Sequence, residues 1–207
     1  DEVLTVPNTF IATTESISDN HGKIVFVDVD NNNYNIDIRK IEEKITPKSK
    51  AIVCVHLYGH PCDMDPIINI ASKYHLKIVE DCAQAHGARY KGKKVGTIGD
   101  IGCWSMFPAK ILGAFGDAGA ITTNNPKIAD KIKLLRDHGR TSKYESVIEG
   151  YNSRIDALQA AILNVKIRYL DKWIEQRREI AHKYSKELNN VVVPKEESWA
   201  FHPFYMY

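Results

Sequence analysis

The amino-acid sequence predicts an α/β fold, a mostly parallel sheet flanked by helices, and three observations carry that prediction. Short apolar runs without polar alternation, such as Ala51-Ile-Val-Cys-Val55 and Ile78-Val79, have the composition of strands buried on both faces. Segments with apolar residues at helical spacing lie between them, so that strand and helix alternate along the chain. Loops carrying histidine, tyrosine and aspartate follow the strands, at the end of an open sheet where ligands bind. With 207 residues, 43% of them hydrophobic and 26% charged, the chain can bury a sizeable core.

Asp1 to Pro7 reads as a strand and its exit; with no initiator methionine ahead of it, the chain is expected to be an internal fragment of a longer protein. Thr9 to Ile17 reads as a helix with Thr9 as N-cap, Lys23 to Asp28 as a strand, and Ile38 to Ile45 as a helix capped by Asp37. Lys50 to Val55 is the next strand. Asp65-Pro66 opens a helix through Tyr74, with proline at the favoured first position, and the strand ending at Asp81 follows. Ala118 to Thr123 returns as a strand, and Asn125-Pro126 caps a helix from Lys127 to His138, with Ile128, Ile132 and Leu135 on one face. Gly139 to Glu149 is a polar loop. From Ile155 to Leu188, Leu158, Ile162, Val165, Tyr169, Ile174, Ile180 and Tyr184 keep helical spacing, which predicts one long amphipathic helix, straight or bent.

The chemistry centres on Trp104 to Ala120. Lys110 is the only charged residue between Asp100 and Asp117, in a run of aromatic, aliphatic and small residues with Pro108 before it and Gly113, Gly116 and Gly119 after it. Proline and clustered glycines disfavour a regular helix and favour a tight loop that fixes one side chain. A desolvated lysine gives up its proton readily, and the neutral amine is the nucleophile that condenses with a carbonyl. The alternative is an ordinary loop lysine with its head in water. A phosphate-loop reading fails, because the glycine order and the Gly-Lys-Ser/Thr sequence are both wrong.

Upstream, the strand Ile78-Val79-Glu80-Asp81 delivers a carboxylate to its carboxyl end. Pyridoxal phosphate needs such a group, since an anionic aspartate on the pyridine nitrogen keeps the ring protonated and able to accept electrons. His56, Tyr58, His60 and Asp63 follow the preceding strand and raise a metal reading. Gly59 and Pro61 forbid the helix that would bring His56 and His60 together, so no metal site is expected.

Glu80-Asp-Cys-Ala-Gln-Ala-His-Gly-Ala88, Ser105-Met-Phe-Pro-Ala-Lys110 with the glycine-rich run to Ala120, and Gly150-Tyr-Asn-Ser-Arg154 together resemble the DegT/DnrJ/EryC1/StrS family of sugar aminotransferases. The resemblance covers nearly the whole chain. It implies a fold-type I aminotransferase large domain at residues 1–190, its N-terminal part absent, and at 191–207 the beginning of a small C-terminal α+β domain. It implies pyridoxal phosphate linked to Lys110, Asp81 on the pyridinium, Gln84 at the phenolic oxygen, Ser105 at the phosphate, Phe10 stacked on the ring, and Asn152 reaching the phosphate of the neighbouring subunit in a homodimer. Met106 and Ile111 depart from the family's commoner aromatic and asparagine, and both flank the lysine without replacing it.

The implied reaction moves an amino group from glutamate to a keto group of a nucleotide-linked deoxy sugar, dTDP-linked by expectation, and the Lys110 to Ala120 run looks most like members that aminate C-3. Amination at C-4 or another carbon, a non-catalytic regulatory member, and an interaction unit without activity stay open; a dehydratase branch uses histidine where Lys110 stands. A net charge of +2 with scattered lysines makes no case for nucleic acid. No apolar stretch has the length of a membrane span, and Cys54, Cys62, Cys82 and Cys103 read as reduced thiols of a cytoplasmic protein.

Overall fold

A computed structural model describes residues 1–207. In chain order the elements are β1 (Glu2–Thr5), α1 (Ala12–Ser18), β2 (Lys23–Phe26), β3 (Ser49–Val55), α2 (Met64–Tyr74), β4 (Lys77–Asp81), the short strands β5 (Arg89–Tyr90) and β6 (Lys93–Lys94), β7 (Ile101–Ser105), β8 (Gly119–Thr122), α3 (Pro126–Leu135), a small hairpin β9 (Arg140–Ser142) and β10 (Glu145–Ser146), α4 (Ala157–Lys166), α5 (Leu170–Glu187) and β11 (Ala200–Phe201). Six strands form the main sheet in the order β2-β1-β3-β4-β7-β8; the first five run parallel and β8 returns antiparallel to β7. The α/β class expected from the unalternating apolar runs is the class found.

The core lies where β1, β3 and β4 meet α2. Leu4, Ile41, Ile52, Met64 and Ile67 are wholly shielded, each contributing about 1.5–3 kcal/mol on leaving water. Tyr90 is buried with them, and its hydroxyl donates to Asp63 Oδ1 at 2.7 Å. That bond draws Asp63 away from capping α2, which begins at Met64 with no side-chain cap.

Several local expectations are corrected. Pro66 is the third residue of α2 and not the first, a position whose N–H lacks a helical partner in any case. Thr9 caps nothing: α1 starts at Ala12, and the Thr9 hydroxyl lies 2.8 Å from that of Thr13. Ile38 to Ile45 is two 3₁₀ turns, Ile38–Lys40 and Glu42–Lys44; Asp37 does cap the first, accepting from Arg39 N–H at 3.0 Å. The helix after Asn125 ends at Leu135, and Asn125 accepts from the Lys127 and Ile128 N–H groups as expected.

The long amphipathic helix is broken. A 3₁₀ turn at Ile167–Tyr169 separates α4 from α5, and the buried positions are Leu163, Ile174 and Ala181. Of the periodic residues, Leu158, Val165, Tyr169, Ile180 and Tyr184 are exposed. Leu163 packs with Leu112 and Ala114, while Ile174 lies against Gly87, whose added Cβ would come within 2.2 Å of Ile174 Cδ1. Two local seats therefore decide what is buried, in place of one continuous stripe.

Beyond α5 the chain returns to the main body. β11 pairs with β5 in a three-stranded sheet, Trp199 packs at 5.3 Å from both the Tyr90 and His60 rings, and Phe204 is buried. No helix is long and apolar enough to cross a membrane.

Candidate active site

Register places the first two polar groups. Asp81 pairs with Cys103 across β4 and β7, so the aspartate and Ser105 leave neighbouring strands at the same carboxyl edge, two residues out of step. Asp81 Oδ2 accepts from the Thr13 hydroxyl at 2.7 Å, and Oδ1 from the Ala83 N–H at 3.1 Å. One donor per oxygen orients the half-buried carboxylate and leaves each oxygen a free lone pair.

Gln84 is held by the turn after β3. Its Oε1 accepts from the Tyr58 N–H at 2.7 Å, which fixes the carboxamide and leaves the amide hydrogens as donors. Tyr58 adopts φ 58°, a left-handed conformation costly for a residue with a Cβ, and Gly59 follows at φ 98°. A methyl at Gly59 would lie 3.1 Å from Gln84 O and 3.3 Å from Tyr205 N, so close approach of the backbones requires glycine there.

Lys110 sits in a turn closed by its own N–H donating to Phe107 O at 2.9 Å. The loop folds back on itself: a Cβ at Gly113 would come within 2.4 Å of Pro108 O. α4 grips it from outside, with Gln159 Oε1 accepting from Phe115 N–H at 2.8 Å and Lys166 Nζ donating to Gly113 O. Lys166 Nζ also lies 5.6 Å from the Phe115 ring centroid and 5.9 Å from that of Trp173. Ser105 Oγ accepts only a long bond, 3.4 Å, from Phe107 N–H, so its own proton is free to donate. The Lys110 ammonium lies 4.8 Å from the centroid of the Tyr205 ring.

His86 is 3% exposed, tilted against Trp104 at 5.4 Å, and neither ring nitrogen has a hydrogen-bond partner. Burial first, and then the charge of nearby Lys110, push its proton affinity down to about 4, so the imidazole is neutral.

Glu80 points into the protein. Its Oε1 accepts from the N–H groups of Ile98 (2.8 Å) and Gly99 (2.7 Å), and its Oε2 from Gly96 N–H (2.7 Å) and His56 Nε2 (3.0 Å). Burial alone would raise this carboxyl; the His56 contact and the backbone donors outweigh it and hold the pKa below the usual range. His56 Nδ1 accepts from Cys62 N–H at 2.9 Å, which fixes the neutral tautomer with the proton on Nε2. His56, Glu80 and Cys82 bring one ligand atom each within 4.8 Å of one another, but Glu80 and His56 already spend their lone pairs on these donors. The cluster is a buried hydrogen-bond network that ties β4 to the loop before β7.

The remaining candidates lie apart. Phe10 is 71% exposed just ahead of α1. Asn152 is exposed beside Asp137, with which it forms a β-bridge, and its Oδ1 accepts from Arg154 Nε (3.2 Å) and Nη2 (2.8 Å). The sequence reading passed over Thr13, Gln159, Lys166 and Tyr205, and named Tyr58 only among the polar residues of the loop after β3. Thr13 is 68 positions from its partner, and Gln159 and Lys166 read as the polar face of a helix, so no local signal marked them.

The donor set suits a phosphorylated pyridine aldehyde: a carboxylate with spare lone pairs, a free amide N–H, a free hydroxyl and a lysine on a constrained loop, beside a buried imidazole with both nitrogens unpaired. Comparison with known proteins points the same way. The chain is 54% identical to a dTDP-3-amino-3,6-dideoxy-alpha-D-galactopyranose transaminase of Aneurinibacillus thermoaerophilus, over 92% of this chain and 52% of that protein. It is 47% identical to a pleiotropic regulatory protein of Geobacillus stearothermophilus, over 100% of this chain and 57% of that one. It superposes with TM-score 0.96 and 37% identity on S. venezuelae DesV solved in complex with a ketimine intermediate, covering 99% of this chain and 56% of that one. The chain thus spans little more than half the length of these relatives. The profile of the DegT/DnrJ/EryC1/StrS aminotransferase family matches residues 1–206, and the chain belongs to that family.

Proposed function

We propose that the whole protein is a pyridoxal phosphate-dependent aminotransferase that moves an amino group from glutamate to the C-3 keto group of a nucleotide-linked deoxy sugar, dTDP-linked by preference. What supports this reading is that Asp81 and Ser105 end the neighbouring strands β4 and β7, with Gln84 and Lys110 in the loops that follow them. When bound, the cofactor supplies an electron sink for the bond broken at the substrate carbon. Asp81, oriented by Thr13 and Ala83, holds the proton on the ring nitrogen. Gln84, its oxygen occupied by Tyr58 N–H, presents N–H to the phenolic oxygen. The Ser105 hydroxyl donates to phosphate. Lys110 Nζ anchors the cofactor and, once released, takes and returns the substrate proton.

Phe10, exposed just ahead of α1, is assigned to cover the ring face, where an offset stack adds about 0.5–1.5 kcal/mol beyond its area. Asn152 has its oxygen held by Arg154 and its N–H groups free, which suits donation to a phosphate held by a second subunit of a homodimer. Residues 1–190 are assigned to the cofactor-binding domain and 191–207 to the start of a smaller one, in a cytoplasmic enzyme whose four cysteines are free thiols. The C-3 assignment leans on the 3-amino-sugar transaminase relative.

A second reading, a regulatory protein that binds the cofactor or sugar nucleotide without turnover, is favoured by the likeness to the pleiotropic regulatory protein. One experiment separates them. The full-length protein and Lys110→Ala are mixed with pyridoxal phosphate and their absorbance is followed before and after glutamate. A visible band from lysine-linked cofactor that glutamate bleaches, absent in Lys110→Ala, supports the aminotransferase; a band that glutamate leaves untouched favours the regulator; no band in the wild type overturns both cofactor readings.

A further inference from the structure

We infer that Tyr205 is a positioning residue that holds the free ammonium of Lys110. The lysine nitrogen lies 4.8 Å from the centroid of the Tyr205 ring, inside the range of about 6 Å over which a cation is drawn to an aromatic face. Lys110 enters no ion pair of the chain, and nearby His86 is neutral.

Tyr205 is placed by contacts that owe nothing to the lysine. Its N–H donates to Tyr58 O at 2.9 Å, in the left-handed turn that also fixes Gln84. Arg177 Nη1, from α5, reaches the carbonyls of Phe204 (3.5 Å) and Tyr205 (3.4 Å), and the adjoining Phe204 and His202 are buried. The Tyr58 carbonyl on one side and α5 on the other thus fix the backbone from which the Tyr205 ring extends. A series of contacts results, from Gln84 through Tyr58 and Tyr205 to Lys110.

The contact distinguishes two states of the lysine. As a free ammonium it rests on the ring; once its nitrogen is covalently committed, it leaves. Tyr205 thus keeps the unlinked amine at the rim of the site. Its part in cofactor capture rests on the cofactor reading above, whereas the contact itself does not.

The test uses full-length protein, freed of cofactor, with ¹³C at lysine Cε and the Lys110 signal assigned by its loss in Lys110→Arg. In the wild type the Lys110 ε-CH₂ resonance is shifted upfield by the ring and shows a nuclear Overhauser effect to the Tyr205 ring protons. Tyr205→Phe retains the shift, and Tyr205→Leu abolishes it. Capture of pyridoxal phosphate near pH 7 is then about 2- to 5-fold faster in Tyr205→Leu than in Tyr205→Phe, since no ring holds the lysine nitrogen away from the incoming aldehyde. An unshifted wild-type lysine, or equal capture rates in the two variants, overturns the inference. A ring-shifted lysine in a protein that captures no pyridoxal phosphate upholds the contact and overturns the cofactor reading instead. Because the Overhauser contact is read in the wild type, a Tyr205→Leu protein that fails to fold leaves the test decisive.

Discussion

The Thr13 hydroxyl donates to Asp81 Oδ2 at 2.7 Å, joining α1 to the carboxyl end of β4 across 68 positions of sequence. A hydrogen bond to a charged group is worth about 1.5–3 kcal/mol, and here it sets the angle at which the carboxylate meets its ligand. Thr13→Val keeps the shape and removes the donor. Pyridoxal phosphate should bind roughly tenfold more weakly to this variant, as followed by fluorescence titration, with thermal stability changed by less than about 1 kcal/mol. Unchanged affinity would show that Asp81 needs no such support.

Glu80 spends both oxygens on four donors in the protein interior, so Glu80→Ala strands His56 and three backbone N–H groups. A loss of about 3–5 kcal/mol is expected by denaturant titration. The same carboxyl predicts an acid response. Its folded-state pKa lies below the unfolded value of 4.5, so the unfolded chain binds the proton more readily and the contribution of Glu80 to stability is lost as pH falls below about 4.5. Glu80→Gln should flatten that limb of the curve of melting temperature against pH; an unaltered limb would assign the acid sensitivity elsewhere.

His86 predicts a separate, earlier limb. Its pKa is lowered to about 4 from an ordinary 6.5, so protons favour the unfolded chain throughout that interval and stability declines as pH drops from 6.5 toward 4. His86→Leu removes the titration and two unpaired buried nitrogens together. At pH 6.5 and above it should leave the protein as stable or more stable, by up to about 1–3 kcal/mol, and it should lose the decline between pH 6.5 and 4. A variant less stable than the wild type would mean that the imidazole is satisfied in the full-length protein.

Gly113→Ala drives a methyl to 2.4 Å from Pro108 O and 2.8 Å from Phe107 O, both rigid backbone atoms. The loop has to open, at about 1–3 kcal/mol, and Lys110 moves with it. Lys166→Met keeps the bulk and removes the donor to Gly113 O together with the cation's contacts to the Phe115 and Trp173 rings, so a smaller loss of about 0.5–1.5 kcal/mol is expected. Both variants should capture pyridoxal phosphate more slowly than the wild type, measured by the rise of the visible band. Equal capture by Lys166→Met would mean that α4 does not set the position of Lys110.

The fold was largely legible because its signals are local. Unalternating runs such as Ile78-Val79 and the Asn125 cap were read from a few neighbouring residues and found in place. Thr9 and Ile38 to Ile45 misled because competing contacts overrode a local pattern: the Thr9 hydroxyl turned to Thr13, and the isoleucine spacing was met by two short 3₁₀ turns. The stripe along residues 155–188 misled for another reason. Helical periodicity shows that a face is apolar without showing what covers it, and Leu158, Val165 and Ile180 stand exposed in this chain. At the site, Asp81 and Lys110 were marked by their unusual surroundings. Thr13 and Tyr205 were not, since each acts on a residue far away in sequence.

The bond from Tyr205 N–H to Tyr58 O also has a meaning in time. Its partners lie 205 − 58 = 147 residues apart. At a translation rate of about 5–20 residues per second, Tyr58 leaves the ribosome roughly 7–30 s before Tyr205 can join it. Through that interval the strands that carry Asp81 and Ser105 can already pair, while the turn that orients Gln84 waits for its second fastening. An incomplete nascent chain therefore lacks the aromatic seat for Lys110, and the reactive amine is fully furnished only in a chain whose synthesis has passed Tyr205.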